Sequence, residues 1–202
     1  MASLTNAAEG LASSYVVDAG KSRFVVRASA TGLLSAFGHN PTIAIRSFTG
    51  EAWFRPQAPE HSSLRLEIDP ASLAITGDVN DKDRREMERT MRDEVLEINR
   101  FREIRFEGSG VHSSQLGEGI YRLKIAGQLK LHGVERPLEL PCNLIAGQDF
   151  LRANGEFTIR QTDYGMRLVS VAGGTLKLRD ELKFSFDILA HRKPEGGHAP
   201  QA

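Results

Sequence analysis

Residues 122–131 read Arg-Leu-Lys-Ile-Ala-Gly-Gln-Leu-Lys-Leu, and apolar and polar side chains alternate along this stretch. Successive side chains of a β-strand point to opposite faces of a sheet, so the alternation predicts a strand with one apolar and one solvated face. Residues 64–69 and 182–188 repeat the pattern. It is typical of antiparallel sheets that expose one face to water.

Weaker alternating runs extend this pattern to much of the chain. They cover residues 22–30, 41–47, 48–55, 103–109, 137–145 and 151–160, with turn signals between them. We count eight or nine strands, several of which would exceed about 30 Å in length. Long antiparallel strands in this number normally close into a barrel, which removes exposed edges. The predicted fold is therefore mainly β, an antiparallel barrel of about eight strands.

One segment, residues 81–98, has a helical pattern instead. It contains no Gly or Pro, and Met87, Met91, Val95 and Ile98 recur at helical spacing. Asn80 or Asp81 would cap its start. The remaining positions are mostly charged, so one narrow face would lie on the barrel. Two interpretations stay open, a lid over an opening and a surface helix that fills a long connection.

Composition limits the class of protein. The 202 residues favour a single domain, and 26 basic residues balance 26 acidic ones, which is unlike a general nucleic-acid binder. The chain has no run of about 18 apolar residues that would span a membrane. One cysteine and an N-terminus without signal-peptide features favour a cytoplasmic protein. We expect an N-terminal extension at 1–14, a barrel domain at 15–192 and a flexible tail at 193–202.

Catalytic and metal-binding patterns do not stand out. The nucleotide-binding, nucleophile-elbow and zinc-protease motifs are absent from the sequence. Cys142 lies at an apolar position of an alternating run, so we interpret it as a small core residue. The six histidines lack close ligand spacing and are interpreted as ordinary turn and surface residues, so we predict no metal site. Ligands from distant strands, with His39 and His132 near strand ends, remain the alternative.

A closed sheet would direct one set of side chains to its interior. An eight-stranded barrel is either filled by such side chains or holds one small ligand. Small residues on the inward face, such as Ala153, Gly127 and Gly155, would leave space, or the glycines would relieve strand curvature. A pocket and a packed core therefore both stay open. The predicted interior residues are Phe24, Val26, Phe48, Phe54, Leu64, Leu66, Leu123, Ile125, Leu129, Leu140, Phe157, Ile159, Phe184 and Phe186.

Several segments, taken in order, resemble the YceI-like family. Residues 127–138, GQLKLHGVERPL, resemble the pattern G-x-L-T-L-x-G-V-T-R-P-V, and residues 159–165, IRQTDYG, resemble I-N-R-S-D-F-G. Residues 15–26, 66–73, 101–108 and 176–188 match other segments of the family in the same order. The resemblance covers about residues 15–190. The chain departs from the family in its more strongly charged helix and in the lack of a visible export signal.

The resemblance implies a lipocalin-like antiparallel barrel with one long α-helix packed beside it. It also implies a hydrophobic tunnel that holds a polyisoprenoid or a related amphipathic chain, such as a quinone, a polyprenyl phosphate or a fatty lipid. We expect no other cofactor. The predicted ligand contacts are the interior residues above without Leu64, Leu123 and Ile159.

Three functions compete at this stage. The first is a non-enzymatic carrier or sequestering protein for an apolar chain, whose head group would meet His39, Asn40, Arg160 and Tyr164 at turns or strand ends. Arg160 would either bind an anionic head group or form a surface ion pair. The second function is an enzyme acting on a hydrophobic small molecule through His39 or His132. The third is a barrel scaffold that serves as an interaction module, including a homodimer formed through the methionines of the helix.

Overall fold

The computed structural model describes residues 13–31, 41–171 and 176–194, and these residues form twelve strands and one α-helix. The strands are β1 Ser13–Val17, β2 Arg23–Thr31, β3 Thr42–Ile45, β4 Phe48–Phe54, β5 Ser63–Ile68, β6 Leu73–Thr76, β7 Ile104–Gly117, β8 Ile120–Leu131, β9 Val134–Ala146, β10 Phe150–Arg160, β11 Ser170–Val171 and β12 Leu176–Arg192. The helix α1 is Asp81–Thr90, followed by a π-helical turn at Met91–Val95. Four 3-10 turns are Ala19–Lys21, Pro59–His61, Pro70–Ser72 and Gln161–Tyr164.

The sheet closes on itself because the short strand β1 pairs on both of its edges. Val16 lies opposite Glu51 of β4 on one side and opposite His191 of β12 on the other. The closed path runs β1-β4-β5-β7-β8-β9-β10-β12 and back to β1, and every pairing in it is antiparallel. The prediction of an antiparallel barrel of about eight strands with one helix is therefore confirmed.

The remaining strands form a branch of the sheet that is attached to β12. The N-terminal part of β12, up to Asp187, pairs with β2. β2 pairs in turn with β3, and β3 pairs with β6. The two-residue β11 also pairs with β12. The total of twelve described strands exceeds the eight or nine predicted from the sequence. The three strands beyond the nine predicted runs are β1, β6 and β11, which are only five, four and two residues long. Such short segments carry too few alternations to be distinguished from loops.

The helix begins where the sequence predicts but is not uniform to residue 98. The Asn80 side chain accepts hydrogen bonds from the backbone N–H groups of Lys82 and Asp83, at 3.1 and 3.0 Å, and so caps the first turn. The α-helix ends at Thr90, and the N–H of Leu96 then donates to the carbonyl of Met91 at 2.9 Å. This wider turn is a π-bulge, and it buries Met91 and Leu96 on the barrel side together.

Gly127 and Gly155, which would leave space in the interior according to the sequence pattern, lie instead where neighbouring strands come close together. A Cβ at Gly127 would collide with the carbonyl oxygen of Glu107 and lie 2.7 Å from the Cα of Gly108. A Cβ at Gly155 would collide with the carbonyl oxygen of Pro141. Both glycines therefore let neighbouring strands approach closely, and the interpretation that they open space in the interior is wrong.

The apolar face of the sheet forms the core inside the barrel. Buried residues from β2, β4, β8 and β10 pack together there with those from the π-helical turn. Among the helices of the described residues, none has the length and hydropathy needed to cross a membrane.

Candidate functional site

The barrel encloses a cavity of about 270 Å³. Its wall includes β12 from Leu178 to Ala190, a distance of roughly 40 Å at about 3.3 Å per residue. Because the lining residues follow this strand over most of its length, the cavity is an elongated channel. Such a shape accommodates a chain better than a compact ring system.

Apolar side chains form nearly the whole wall of this cavity. In the part of the chain that the structure describes, no charged residue lines it, and its polar residues are Trp53, Ser62, Ser63, Thr90 and Gln161. A ligand group inside the channel therefore meets hydrocarbon over most of its surface. Burial of apolar area is therefore the main favourable contribution to ligand binding at this site.

Most of the predicted interior residues line this cavity. Phe48 does not. It is buried in the surrounding core, where its ring meets that of Phe24 edge to face at 6.1 Å. Ile159 is likewise buried without lining the cavity. The predicted ligand contacts that do line it are Phe24, Val26, Phe54, Leu66, Ile125, Leu129, Leu140, Phe157, Phe184 and Phe186.

Four phenylalanines cluster on the wall formed by β2, β10 and β12. Phe157 and Phe184 stack with their ring centroids 4.7 Å apart and their planes 10° from parallel. Phe24 meets Phe184 and Phe186 edge to face at 6.2 and 6.1 Å. These aromatic contacts give this part of the wall a fixed shape.

The helix and its π-helical turn complete one side of the cavity. Met87, Thr90, Met91, Val95 and Leu96 all line it. The stripe of methionines predicted from the sequence therefore faces the barrel of its own chain. Of the two interpretations of the helix, a cover over the interior fits this arrangement.

Gln161, at the end of β10, was not among the predicted site residues. It is only 3% exposed, and it lines the cavity. Its amide nitrogen Nε2 donates to the backbone carbonyls of Arg179 and Asp180, at 2.9 and 3.4 Å. A polar residue at a strand end is normally predicted to be exposed. The one signal in the sequence for a role of Gln161 is that it occupies the arginine position of the pattern I-N-R-S-D-F-G.

A second buried polar residue, Ser62, lies at the opposite end of the channel. It is 6% exposed, and its hydroxyl oxygen accepts a hydrogen bond from the N–H of Arg55 at 3.1 Å. Trp53 lines the same end. The two buried polar side chains therefore mark the two ends of one apolar channel.

The four predicted head-group residues are not brought together at the cavity. Arg160 is exposed at the end of β10. The pKa of the nearby Asp180 is lowered mainly by hydrogen bonds from Thr162, and the charge of Arg160 makes a smaller contribution. Tyr164 is buried in the core, and neither residue lines the cavity. Burial raises the pKa of Tyr164. His39 and Asn40 lie outside the described residues.

His132 lies in the turn between β8 and β9, but it is not a surface residue as predicted. Its side chain is 8% exposed, with Nδ1 3.1 Å from the carbonyl oxygen of Tyr164 and Nε2 3.2 Å from Oε1 of Glu97. The ring centroid lies 4.2 Å from that of Phe101. Because both ring nitrogens already face acceptors and the ring does not line the cavity, His132 joins the segment after the helix to the barrel.

Cys142 is buried and lines the cavity, as expected for a small core residue. Burial raises the pKa of its thiol to about 11, so the nucleophilic thiolate is scarce at neutral pH. Within the described ranges, no group of three or more His, Cys, Asp or Glu side chains is arranged to hold a metal ion.

Comparisons with known proteins match this architecture. The model of the YceI-like domain matches residues 15–190. A search of curated proteins finds no match. Among solved structures, BcnA from Burkholderia cenocepacia is 16% identical with a TM-score of 0.64, covering 86% of this chain and 98% of that one.

Two further solved structures have the same fold. A polyisoprenoid binding domain from Saccharophagus degradans, implicated in plant cell wall breakdown, is 14% identical with a TM-score of 0.64 and covers 91% of this chain and 100% of that one. The Campylobacter jejuni YCEI protein is 16% identical with a TM-score of 0.58, covering 77% of this chain and 87% of that one. At these identities the likeness establishes the fold alone.

Proposed function

Because this chain belongs to the YceI-like family, we propose that it binds an amphipathic polyisoprenoid or a related lipid in the barrel cavity and carries or sequesters it. The observation that supports this proposal is the elongated channel whose described wall carries no charged residue. The structural neighbour from Saccharophagus degradans, a polyisoprenoid binding domain, supports the same class of ligand. The fold by itself does not identify a ligand, because one fold serves many functions.

The energetics of such a site are sufficient for useful affinity. Each methylene removed from water contributes about 0.8 kcal/mol, so a chain of about fifteen methylene-sized groups contributes roughly 12 kcal/mol. Association costs at least about 4 kcal/mol in lost translational and rotational freedom. The remainder, about 8 kcal/mol, corresponds to dissociation constants near the micromolar range.

The proposed role is non-enzymatic. Catalysis on a hydrophobic substrate would require a base and an activating partner inside the apolar cavity. His132 does not line the cavity, and its ring nitrogens face Glu97 and the carbonyl of Tyr164. The buried Cys142 thiol, with its raised pKa, is a weak nucleophile at neutral pH.

The experiment that tests this proposal is extraction of the purified protein under denaturing conditions, followed by mass spectrometry of the lipid fraction. We expect an isoprenoid or a fatty lipid to be released in a reproducible ratio to protein. The variant Ala153→Phe adds a ring to a position that lines the cavity, and it should lower the yield several-fold. Thr158→Phe, on the exposed face of the same strand, is the matched control.

Two outcomes would contradict the proposal. One is wild-type protein that yields no lipid and takes up none when it is incubated with an isoprenoid such as farnesol. The other is equal lipid yield from the wild type and the two phenylalanine variants, which would place any bound lipid on the surface of the protein.

A cytoplasmic location is a finer part of the proposal and rests on the single cysteine of the chain. A homodimer is a second finer part. The methionines of the helix face their own barrel, so a second subunit would contact another surface. If the chain forms a homodimer through such a surface, sedimentation velocity gives twice the monomer mass. A single species of 22.3 kDa at all accessible concentrations would contradict the dimer.

A further inference from the structure

One end of the barrel carries a group of exposed apolar side chains. Six large apolar side chains are exposed among the described residues, and five of them lie at the end where Trp53 and Ser62 line the channel. The sixth, Leu168, lies apart from this group, just before β11. Single exposed apolar residues are ordinary, but a group of them marks a contact surface. We call these five residues the apolar band: Val16, Leu116, Ile120, Ile145 and Phe150.

Strand register places three members of the apolar band side by side. Ile120 at the start of β8 lies directly opposite Ile145 near the end of β9. Leu116, near the end of β7, precedes Gly117, which is the partner of Ile120 on the other side. Side chains this close on neighbouring strands form one continuous surface. The short turn after β9 leads to Phe150, so the band continues onto β10.

The other part of the apolar band lies on both sides of His191. Phe150 of β10 and Val16 of β1 are each opposite this histidine of β12. Two residues before Val16, Ser14 pairs with Trp53 of β4. The band therefore reaches the strand that carries the single tryptophan of the chain, at the end of the barrel to which the channel extends.

The curvature of the barrel limits what can cover the apolar band. Its members lie on β7, β8, β9, β10 and β1, with β12 between the last two, and these are six consecutive strands in the closed path of eight. The side chains therefore face different directions around more than half of the circumference. A rigid protein surface would contact only part of the band, whereas fluid lipid can surround all of it.

The area of the apolar band is also small for a protein partner. Its side chains are 38 to 56% exposed. With about 200 Å² for each whole side chain, the band presents on the order of 400 Å². A stable interface between proteins buries about 800 Å² on each partner. Insertion into a bilayer has no such minimum, because each apolar side chain that leaves water contributes by itself.

Charged residues around the apolar band carry both signs. Glu118 and Asp149 lie in the two turns at this end, whereas Arg55 follows β4 and Arg192 ends β12. This balance provides no strong attraction to an anionic surface. It fits a zwitterionic surface such as phosphatidylcholine, where apolar side chains enter the boundary between head groups and acyl chains.

We propose that the apolar band docks this end of the barrel on the surface of a zwitterionic lipid bilayer. The inference goes beyond the proposed function, because docking requires no ligand in the channel. In a protein that carries a lipid, the same contact would hold the Trp53 end of the channel against the membrane.

Flotation with phosphatidylcholine vesicles tests this proposal. The full chain is mixed with vesicles at several lipid concentrations, and the fraction of protein that floats with them is measured. We expect wild-type protein to float. The lipid concentration for half-maximal binding should change less than about threefold between about 0.1 and about 1 M NaCl, because salt does not screen apolar insertion.

Matched variants locate the contact. Leu116→Gln should raise the lipid concentration for half-maximal binding several-fold, because it removes one inserted side chain. Leu168→Gln makes the same change at an exposed leucine outside the apolar band and should have no effect. The triple variant Leu116→Gln, Ile120→Thr, Ile145→Thr should raise this concentration at least about tenfold. Its threonines keep the β-branched shape that strands favour, and circular dichroism checks that it folds.

Each alternative gives a different result. Wild-type protein that does not float would overturn the inference, as would a more than tenfold loss of binding in high salt, which would indicate attraction between charges. Equal effects of Leu116→Gln and Leu168→Gln, or wild-type binding by the folded triple variant, would place the contact elsewhere. A wild-type dimer that the triple variant dissociates, without flotation, would assign the band to a second copy of the chain. Flotation of protein that yields no lipid on extraction would contradict the proposed function and leave docking in place.

Discussion

Gly127 shows how closely the strands of this barrel approach one another. A Cβ at this position would meet backbone atoms of Glu107 and Gly108, which cannot move away as a flexible side chain would. We expect Gly127→Ala to lower the free energy of unfolding by about 1–3 kcal/mol, the usual cost of overpacking. Urea denaturation measures this change.

Gly117→Ala provides the control for the Gly127 variant. An added Cβ at Gly117 would lie 3.8 Å from Cδ1 of Ile120, an ordinary contact distance. Its effect on stability should be small. If the two alanine variants were equally stable, the close approach of β7 and β8 at Gly127 would be contradicted.

Cys142 gives a chemical probe of the cavity, because it is the single cysteine of the chain. Burial and a pKa raised to about 11 should make its reaction with a disulfide reagent at about pH 8 much slower than in urea-unfolded protein. A ligand in the channel should slow the reaction further. Rapid reaction of the folded protein, unaffected by a bound chain, would contradict the placement of this thiol.

At the level of single residues, alternation identifies most of the apolar wall, whereas the predicted head-group residues Arg160 and Tyr164 do not line the cavity. The alternation correctly placed Phe184 and Phe186 toward the interior, because a strand offers only two faces. Arg160 is predicted as a head-group residue because it falls at a strand end, although the buried side chain is that of Gln161, one position further. Faces alternate at every residue, so where β10 gives way to the following 3-10 turn the pattern no longer assigns a face.

At the scale of elements, the helix is joined to the barrel by the contact between Glu97 and His132. Both residues have positive φ, 45° and 51°, so the backbone adopts an unfavourable conformation on each side of this contact. The 3.2 Å contact is largely shielded from solvent at the histidine. We infer that it holds the end of the π-helical turn against the cavity.

A double-mutant cycle measures this contribution. Glu97→Ala and His132→Ala each keep a Cβ, so the cost of positive φ stays in every variant. We expect a coupling free energy of about 1 kcal/mol between the two positions, from urea denaturation. The pair Glu94 and Arg167, also between the helical segment and the rest of the chain but well exposed, should couple by less than about 0.5 kcal/mol. Equal coupling in the two pairs would contradict a special role for His132.

The sequence predicted the long elements better than the short ones. β8 and β12 carry many consecutive alternations, and both were identified. The change from α-helix to π-helix at Met91 could not be predicted, because it depends on which side chains fit against the barrel. β6 was missed because Pro70 and its 3-10 turn separate it from β5 and leave only four residues.

For the whole molecule, acid stability depends on carboxylates that tie β12 to its neighbours. Arg152 donates two hydrogen bonds to Asp187, at 2.9 and 2.7 Å, and lowers the pKa of this carboxyl. The hydroxyl and N–H of Thr162 do the same for Asp180. A lowered pKa in the folded state means that the contribution is complete above the unfolded value of 3.8 and is lost as the pH falls below it.

We therefore expect stability to decrease between about pH 5 and pH 2, and to decrease less in the double variant Asp180→Asn, Asp187→Asn. The urea midpoint of each protein at several pH values gives this slope. Glu118→Gln, in the exposed turn between β7 and β8, controls for the loss of a negative charge. An unchanged slope in the double variant would contradict the role of the two aspartates.

Closure of the barrel and its hollow interior depend on distant partners, which limits what a sequence can predict about the whole molecule. The closing strand β1 pairs with residues 51–54 and 190–192, and no local pattern specifies such pairings. Whether the interior is filled depends on how side chains from all strands fit together. The alternation alone left a pocket and a packed core equally open.

The double pairing of β1 also has a consequence for biosynthesis. During translation β1 emerges first among the described strands, yet its partner residue His191 is made about 175 residues later. At roughly 5–20 residues per second, the nascent chain spends on the order of ten seconds with its apolar face open to its surroundings. Chaperones and membrane lipids would encounter this face before closure, so a hydrophobic chain has an opportunity to be enclosed as the last strands form instead of threading into a finished barrel.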